Sequence, residues 1–427
     1  VHQRMKVLVI GGGGREHALV WALGRSSQVS EVVCAPGNGG IAKSARCVAV
    51  DVNDLAAMVA LVEAERPALT VVGPEVPLSL GIVDELERRG CRVFGPTKAA
   101  ARLESSKAFA KEFMQRHDIP TAAHAVCTTL DEVREQLRRF SVPVVVKADG
   151  LAAGKGVVIC ETHLQAETAA AEMFSGVLLG TREAEVVLEE FLTGEELSFF
   201  ALCDGVHAVE IASAQDHKRV GEGDTGPNTG GMGAYSTDGL ATPAMRHWLL
   251  RNVAQKVVDG MKAEGDPFKG ILFCGLMMTP RGPMVLEFNT RFGDPETEAI
   301  LLRMESDVVD LLNASIDGTA NEIAVRMKPG ASACVIAASG GYPGKYVSGK
   351  VIDGLSDLPA GDGDVVVFHA GTALRDGQLV TAGGRVLAVT AVAPELRAAL
   401  DKAYAALAKI SFEGMQFRRD IGHRALR

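Results

Sequence analysis

The chain reads as a multidomain protein of mixed α/β and α+β class, and three observations predict this. The first hundred residues alternate short apolar runs with helical stretches. A strand, glycine-rich loop, strand unit, "VPVVVKADGLAAGKGVVIC", follows at residues 142–160. The last hundred residues carry their own strand and helix pattern, including "GGRVLAVTAVAPELRAALDKAYAAL". At 427 residues the chain is long enough for roughly three domains, each with its own core.

In the first segment, "KVLVI", "EVVCA", "LTVVG" and "CRVFG" are continuous apolar runs, separated by helical stretches such as "DLAAMVALVEAER" and "LGIVDELERRG". Such runs suit a parallel sheet covered on both faces. From Ser105 the pattern becomes a helix, "SSKAFAKEFMQRHDIP", closed by Pro120. The segment "EVVLEEFLTGEELSFFALCDG" supplies two more strands after the glycine loop. These changes of pattern divide the chain at 5–104, 105–197, 198–328 and 329–427, the last reading as a separate α+β unit. Val1 to Arg4 read as residues ahead of a natural start at Met5.

Composition narrows the function classes. Hydrophobic residues make up 47% and charged residues 23%, an ordinary globular balance. A net charge of −9 with 5% aromatics argues against a nucleic-acid surface, which needs basic patches and stacking rings. No apolar run approaches the ~18 residues of a membrane span. The eight cysteines are scattered without a CxxC pair, which suits reduced thiols in a cytoplasmic protein.

Several stretches carry chemistry. "VLVIGGGGREHALVWAL" is strand, glycine loop and helix, the setting for anion binding at a helix N-terminus. It misses the dinucleotide fingerprint, because the third glycine of GxGxxG would fall on Glu16 or His17 and the second strand ends without an acidic residue. A sugar-phosphate site and a purely structural turn both remain open. "VVVKADGLAAGKGVV" lacks Walker spacing, yet its glycines with Lys147 and Lys155 could fold over phosphates. In "LEEFLTGEE", Glu189 and Glu196 flank a strand end. The stretch reads either as surface charge or as an adenosine pocket, with backbone near Glu190 and Leu192 on the adenine edge and Glu196 on the ribose. "QDHKRVGEGDTGPNTGGMG" holds six glycines in nineteen residues, too polar for a core and the kind of loop that carries function.

"VLEFNTRFGDPETE" places Glu287, Asn289 and Arg291 at alternate positions, with Leu286 and Phe288 expected in the core. Asn is a poor strand residue, so its position asks for a reason. Glu with Asn is a hard oxygen set suited to Mg²⁺, and a neighbouring Arg suits an anionic substrate or developing oxyanion.

Taken in order, Lys107 in "SSKAFAKEFM", "VVKADGLAAGKGVV", "LEEFLTGEE" and "LEFNTRFGDPE" resemble the ATP-grasp superfamily. "GGGGREHAL", "GPEVPL", "QDHKRVGEGDTGPNTGGMGAYS", "RFGDPETE", "SGGYPGKY" and "FHAGT" narrow the resemblance to the phosphoribosylamine–glycine ligase family, from Met5 to near the C-terminus.

The resemblance implies an ATP-grasp fold behind an N-terminal parallel-sheet domain and ahead of a C-terminal α+β domain. It implies ligation of glycine to 5-phosphoribosylamine through a glycyl phosphate, with ATP as co-substrate and Mg²⁺ or Mn²⁺ as cofactor. Under it, Glu287 and Asn289 hold the metal, and Lys107 and Lys147 contact phosphates. The loop with Gly154, Lys155 and Gly156 covers the nucleotide, while Glu189, Glu190, Leu192 and Glu196 surround the adenosine. Arg291 stabilises the acyl phosphate, and Asp294 and Asp216 orient substrate amines. Gly11, Gly12, Gly13, Gly14 and Arg15 receive the phosphoribosyl group, with Glu75 near the ribose and Arg385 a C-terminal candidate. One departure stands out: the strand "GILFCGLMM" lacks the acidic metal ligand of many ATP-grasp relatives. Either the metal site is leaner or another residue, such as Asp216, completes it. The expected partners are small molecules alone, with no nucleic acid or membrane, and the expected state is a monomer. Rival readings are another ATP-grasp ligase or carboxylase, an NAD-dependent oxidoreductase, or a non-catalytic nucleotide-binding regulator.

Overall fold

The computed structural model describes residues 3–152, 156–358 and 363–427. Five strands form the first sheet: β1 (Met5–Gly11), β2 (Val29–Pro36), β3 (Arg46–Cys47), β4 (Leu69–Val72) and β5 (Val93–Phe94). All pair in parallel, in the order β3-β2-β1-β4-β5. Val7 to Ile10 of β1 are fully buried because helices cover both faces, as the continuous apolar runs predict. The strand order reverses at β1, so a crevice opens beyond its carboxyl end. The glycine loop sits there, leading into the helix Gly14–Gly24.

A second sheet of four antiparallel strands follows: β6 (His124–Cys127), β7 (Val144–Ala148), β8 (Val157–Cys160) and β9 (Val186–Glu190), ordered β6-β9-β7-β8. The helices Leu130–Leu137 and His163–Ser175, capped by Thr129 and Thr162, close its apolar face around Val133, Val144, Val146 and Leu188. In sequence, Gly150 to Gly156 lie between β7 and β8, and of this stretch Ala153, Gly154 and Lys155 lie outside the described residues.

The largest sheet has eight strands in the order β16-β15-β10-β11-β14-β17-β21-β18. It comprises β10 (Glu195–Asp204), β11 (Ala208–Asp216), β14 (Gly233–Thr237), β15 (Lys269–Thr279), β16 (Gly282–Asn289), β17 (Ala331–Ala338), β18 (Val365–His369) and β21 (Arg385–Ala393). Two hairpins project from it, β12 (Arg219–Gly221) with β13 (Thr225–Asn228), and β19 (Thr372–Arg375) with β20 (Gln378–Thr381). Of the strands after residue 329, β17, β21 and β18 extend the central sheet, because β17 pairs with β14, while β19 and β20 pair only with each other among the described strands. An apolar strand run reads the same whether it starts a sheet or continues one. No helix among the described residues is long and apolar enough to cross a membrane. All eight cysteines are free thiols, six of them buried.

Candidate active site

β16 pairs with β15 through a β-bulge: Leu276 lies opposite Val285 and Gly275 opposite Glu287, leaving Leu286 as the extra residue. This corrects the expectation that Leu286 and Phe288 form the buried pair. Val285 and Phe288 are buried, Leu286 is half-buried, and its carbonyl oxygen accepts a hydrogen bond from Lys147 Nζ at 3.3 Å. Beyond the bulge the expected alternation holds, with Glu287 and Asn289 directed away from Phe288.

Three ammonium groups surround the Glu287 carboxylate. Burial alone would raise its pKa, yet Lys218, Lys147, Lys107 and Arg291 hold it below the ordinary carboxylate value. Asn289 is buried, and its Oδ1 accepts only a long bond, 3.4 Å, from Arg291 Nη2. An ionised carboxylate and a weakly engaged amide oxygen fit a hard divalent cation that takes its other ligands from phosphates and water. Among the described residues no group of three or more His, Cys, Asp or Glu is placed to hold a metal ion. Asp216, at the end of β11, is pushed up to about 6 by burial, with Lys218 opposing and Glu196 and Glu287 adding to the rise.

The two lysines expected at the phosphates come from different elements, a helix start and a strand. Lys107 opens the helix Lys107–Arg116, which Ser106 caps by accepting from Phe109 N at 3.1 Å. Its Nζ donates to the carbonyl oxygen of Gly150 at 3.0 Å, at the root of the glycine loop. Lys147 on β7 lies 2.7 Å from Glu189 Oε2, and Lys111 lies 3.2 Å from Glu189 Oε1. Glu189 is therefore the buried counter-ion of two lysines. Glu190 pairs instead with Arg281 at 2.6 Å near the surface, Leu192 is buried, and Glu196 lies 3.3 Å from Lys218 Nζ. The Gly156 carbonyl oxygen accepts from Ala148 N at 2.8 Å, closing the far end of the loop.

The glycine loop after β1 meets the turn after β16. Gly11 adopts φ +130°, a conformation L side chains rarely reach, and a Cβ there would run into the Glu16 side chain. Gly13 N donates to Glu16 Oε1 at 3.0 Å, and the Arg15 guanidinium pairs with the other Glu16 oxygen. Arg15 Nη1 donates to the Phe292 carbonyl oxygen at 3.1 Å, and Arg15 N donates to Asp294 Oδ2 at 3.3 Å. Asp294 is also tied to Arg385, whose Nη1 donates to the Asp294 carbonyl oxygen at 3.0 Å and to that of Gly230 at 2.9 Å. Despite burial, Arg385, Glu298 and Arg15 hold the Asp294 carboxyl down to about 2, while burial and Asp294 push Glu298 well up. Arg291 Nε lies 3.4 Å from Glu75 and 3.5 Å from Glu104, so Glu75 reaches this row through Arg291.

Four residues missed in the sequence belong to this cluster. Lys218 follows Asp216 by two positions in "QDHKR", and that spacing would have marked it. Lys111 stands one helical turn after Lys107, the i,i+4 signal of a shared face. Glu104, whose Oε1 accepts from Thr290 N at 2.8 Å, carries no such mark, and neither does Glu298. His217 and His369 are buried, and burial pushes them down to about 3 and about 4.

A parallel crevice sheet, a four-stranded unit bearing a glycine loop, and a central antiparallel sheet carrying the Glu287–Asn289 row make this an ATP-grasp protein. Residues 105–297 match the family model for the phosphoribosylglycinamide synthetase ATP-grasp (A) domain, residues 5–104 its N domain and residues 332–424 its C domain. The chain belongs to the phosphoribosylglycinamide synthetase family. It is similar to the phosphoribosylamine–glycine ligase of Xanthomonas campestris, 52% identical over 99% of this chain and 98% of that one. The Vibrio parahaemolyticus ligase of the same name is 47% identical over 99% of both chains. The crystal structure of the Thermotoga maritima phosphoribosylamine–glycine ligase superposes with a TM-score of 0.87 at 36% identity, covering 98% of this chain and 100% of that one. A biotin carboxylase domain from Hydrogenobacter thermophilus, at 19% identity with a TM-score of 0.77 over 97% and 92% of the two chains, shares the fold.

Proposed function

We propose that the protein ligates glycine to 5-phosphoribosylamine with ATP, giving glycinamide ribonucleotide, ADP and phosphate, a step of purine biosynthesis. One observation carries the reading: the helix after the glycine loop grips the turn after the metal row, through Arg15 to Phe292 at 3.1 Å and to Asp294 at 3.3 Å. A phosphorylating centre and an anion-binding helix start thereby share one crevice, as joining an activated acid to a phosphosugar amine requires.

A carboxylate is a poor acyl donor because its oxygen leaves badly. In the proposed reaction the glycine carboxylate attacks the γ-phosphorus and ADP leaves. The phosphoribosylamine nitrogen then attacks the acyl carbon, the bond to phosphate breaks, and the nitrogen loses a proton. Both steps build negative charge, so cations and alignment contribute more than a nucleophilic side chain. Lys107 and Lys147 receive the ATP phosphates, and the loop with Gly154, Lys155 and Gly156 shields the acyl phosphate from water. Glu287 and Asn289 hold a divalent cation, Mg²⁺ with Mn²⁺ as a substitute, which when bound neutralises phosphate charge. Glu190 and Leu192 border the adenine and Glu196 the ribose, while Glu189 keeps Lys147 in place. Arg291 faces the acyl phosphate, with Asp294 and Asp216 on the substrate amines. Gly11 to Arg15 bind the phosphoribosyl group, with Glu75 beside it. We infer a cytoplasmic enzyme acting on small molecules as a monomer.

The test is ADP release from Mg-ATP with and without glycine and freshly generated phosphoribosylamine. Release that needs both supports the reading. Release driven by bicarbonate or another acid overturns the substrate assignment, and ATP binding without release overturns catalysis.

A further inference from the structure

The glycine loop is held on one side by its own helix, through Gly13 and Glu16. On the other side it is held by a segment far from it in sequence. Asn38, in the "CAPGNGG" turn after β2, donates from Nδ2 to the Gly12 carbonyl oxygen at 3.0 Å and to the His369 carbonyl oxygen at 2.7 Å. Its Oδ1 accepts from Gly40 N and Ile41 N, both at 3.0 Å. Both amide hydrogens and both lone pairs are thus engaged, so the side chain can neither rotate nor flip without losing bonds. Gly39 N adds a bond to the Thr372 carbonyl oxygen at 3.1 Å.

The partner strand end is fixed in turn. His369 N donates to His17 Nδ1 at 2.7 Å, on the helix that the glycine loop opens. Burial pushes His17 down to about 3, so its ring is neutral and Nδ1 accepts throughout the physiological range. The loop presses closely on the turn: a Cβ on Gly12 would lie 2.6 Å from the Gly37 carbonyl oxygen. The direction of the Gly12 and Gly13 peptides therefore depends on Asn38.

We propose that Asn38 is a positioning residue for phosphoribosylamine: its carboxamide ties the Gly12 carbonyl to the end of β18 and thereby aims the glycine-loop N–H groups at the substrate phosphate. This rests on the ligase reading above. The remaining substrates bind elsewhere in that reading, so the effect is selective. Replacing the amide by a carboxylate of the same shape removes the donor and sets an anion against two carbonyl oxygens.

The experiment compares wild type with N38D and N38S in steady-state assays, varying ATP, glycine and phosphoribosylamine in turn. Binding of glycinamide ribonucleotide is measured by calorimetry alongside. The expected result for N38D is a KM for phosphoribosylamine raised at least tenfold, with product affinity weakened in parallel. The KM values for ATP and glycine stay within about twofold, and N38S, with a single donor, falls between. Should N38D not fold, N38S carries the same comparison. A folded variant with an unchanged phosphoribosylamine KM overturns the proposal, as does an equal rise in all three KM values. Wild-type turnover that ignores phosphoribosylamine overturns instead the ligase reading, which separates the two failures.

Discussion

The Lys147 ammonium lies 2.7 Å from the Glu189 carboxylate, deep between β7 and β9, and Lys111 holds the second oxygen of that carboxylate at 3.2 Å. All three side chains are nearly sealed from water. One carboxylate thus balances two ammonium groups, leaving a net positive charge at the place proposed for the ATP phosphates. The Lys111 ammonium is held down to about 8 by burial and Lys147, with Glu189 opposing.

Removing Glu189 leaves two uncompensated cations in a closed site. The variant E189A is expected to lose roughly 3–5 kcal/mol of unfolding free energy. The neighbouring pair Glu190–Arg281, with Arg281 59% exposed, serves as control, and E190A is expected to change stability by less than about 1 kcal/mol. Urea titrations of both variants decide this. E189A as stable as wild type would end the counter-ion account.

Glu287 is surrounded by cations, and the proposed reaction requires it as an anion. E287Q keeps the shape and removes the charge, so turnover is expected to fall by at least about a hundredfold, the scale of one lost transition-state electrostatic contact. The far-ultraviolet spectrum and melting temperature stay near wild type. Chelation of divalent metal is expected to stop wild-type turnover and to be reversed by adding Mg²⁺. Metal-dependent activity in E287Q close to wild type would remove Glu287 from the metal site.

How much of this was legible in the sequence depended on how local the cause was. The alternation of Glu287 with Asn289 follows from the two-residue strand period, so it was legible. The bulge at Leu286 was not, because it arises from pairing with β15, and nothing in "VLEFN" records its partner. The glycine loop was legible as a strand-to-helix turn, but the sequence alone left open whether it serves a sugar phosphate or only the turn. Its ties to Asp294 and to Asn38 span stretches distant in sequence and depend on how the sheets meet. Glu189 illustrates the same limit: its sequence neighbours suggested an adenosine pocket, whereas its charge partners, Lys111 and Lys147, come from another helix and another strand.

Glu296 follows the cis Asp294–Pro295 peptide, and its Oε2 is buried without a hydrogen-bond partner. Burial, then Asp216, raises its carboxyl from 4.5 to about 8. Below both values the folded and unfolded chains are equally protonated. Between them the unfolded chain loses its proton while the folded chain keeps it, so this group's contribution to stability is lost as pH rises. The slope is at most about 1.4 kcal/mol per pH unit. E296Q stays neutral and has no such slope. Unfolding free energies at pH 5, 6.5 and 8 are expected to show E296Q gaining on wild type with each rise in pH. Parallel curves for the two proteins would contradict the buried, protonated state of Glu296.

Lys218 lies 3.3 Å from Glu196 and close enough to Asp216 and Glu287 for these carboxylates to raise its pKa well above the ordinary value. A fixed cation there would oppose a divalent ion at Glu287 and Asn289, yet in the proposed reaction it would also meet a phosphate oxygen. The two roles pull in opposite directions, and one substitution separates them. K218M removes the charge while keeping most of the side-chain length. Relief of repulsion, on the order of 1–2 kcal/mol at a partly solvated site, is expected to tighten Mn²⁺ binding in the absence of nucleotide by about tenfold. Turnover at saturating metal is expected to fall at least about a hundredfold, because the phosphate loses a cation in the transition state. K218R, which keeps the charge, should retain wild-type metal affinity. Mn²⁺ titration followed by paramagnetic resonance, paired with ADP release, reads both quantities. A K218M protein that binds Mn²⁺ no better than wild type but turns over normally would assign Lys218 to Glu196 alone.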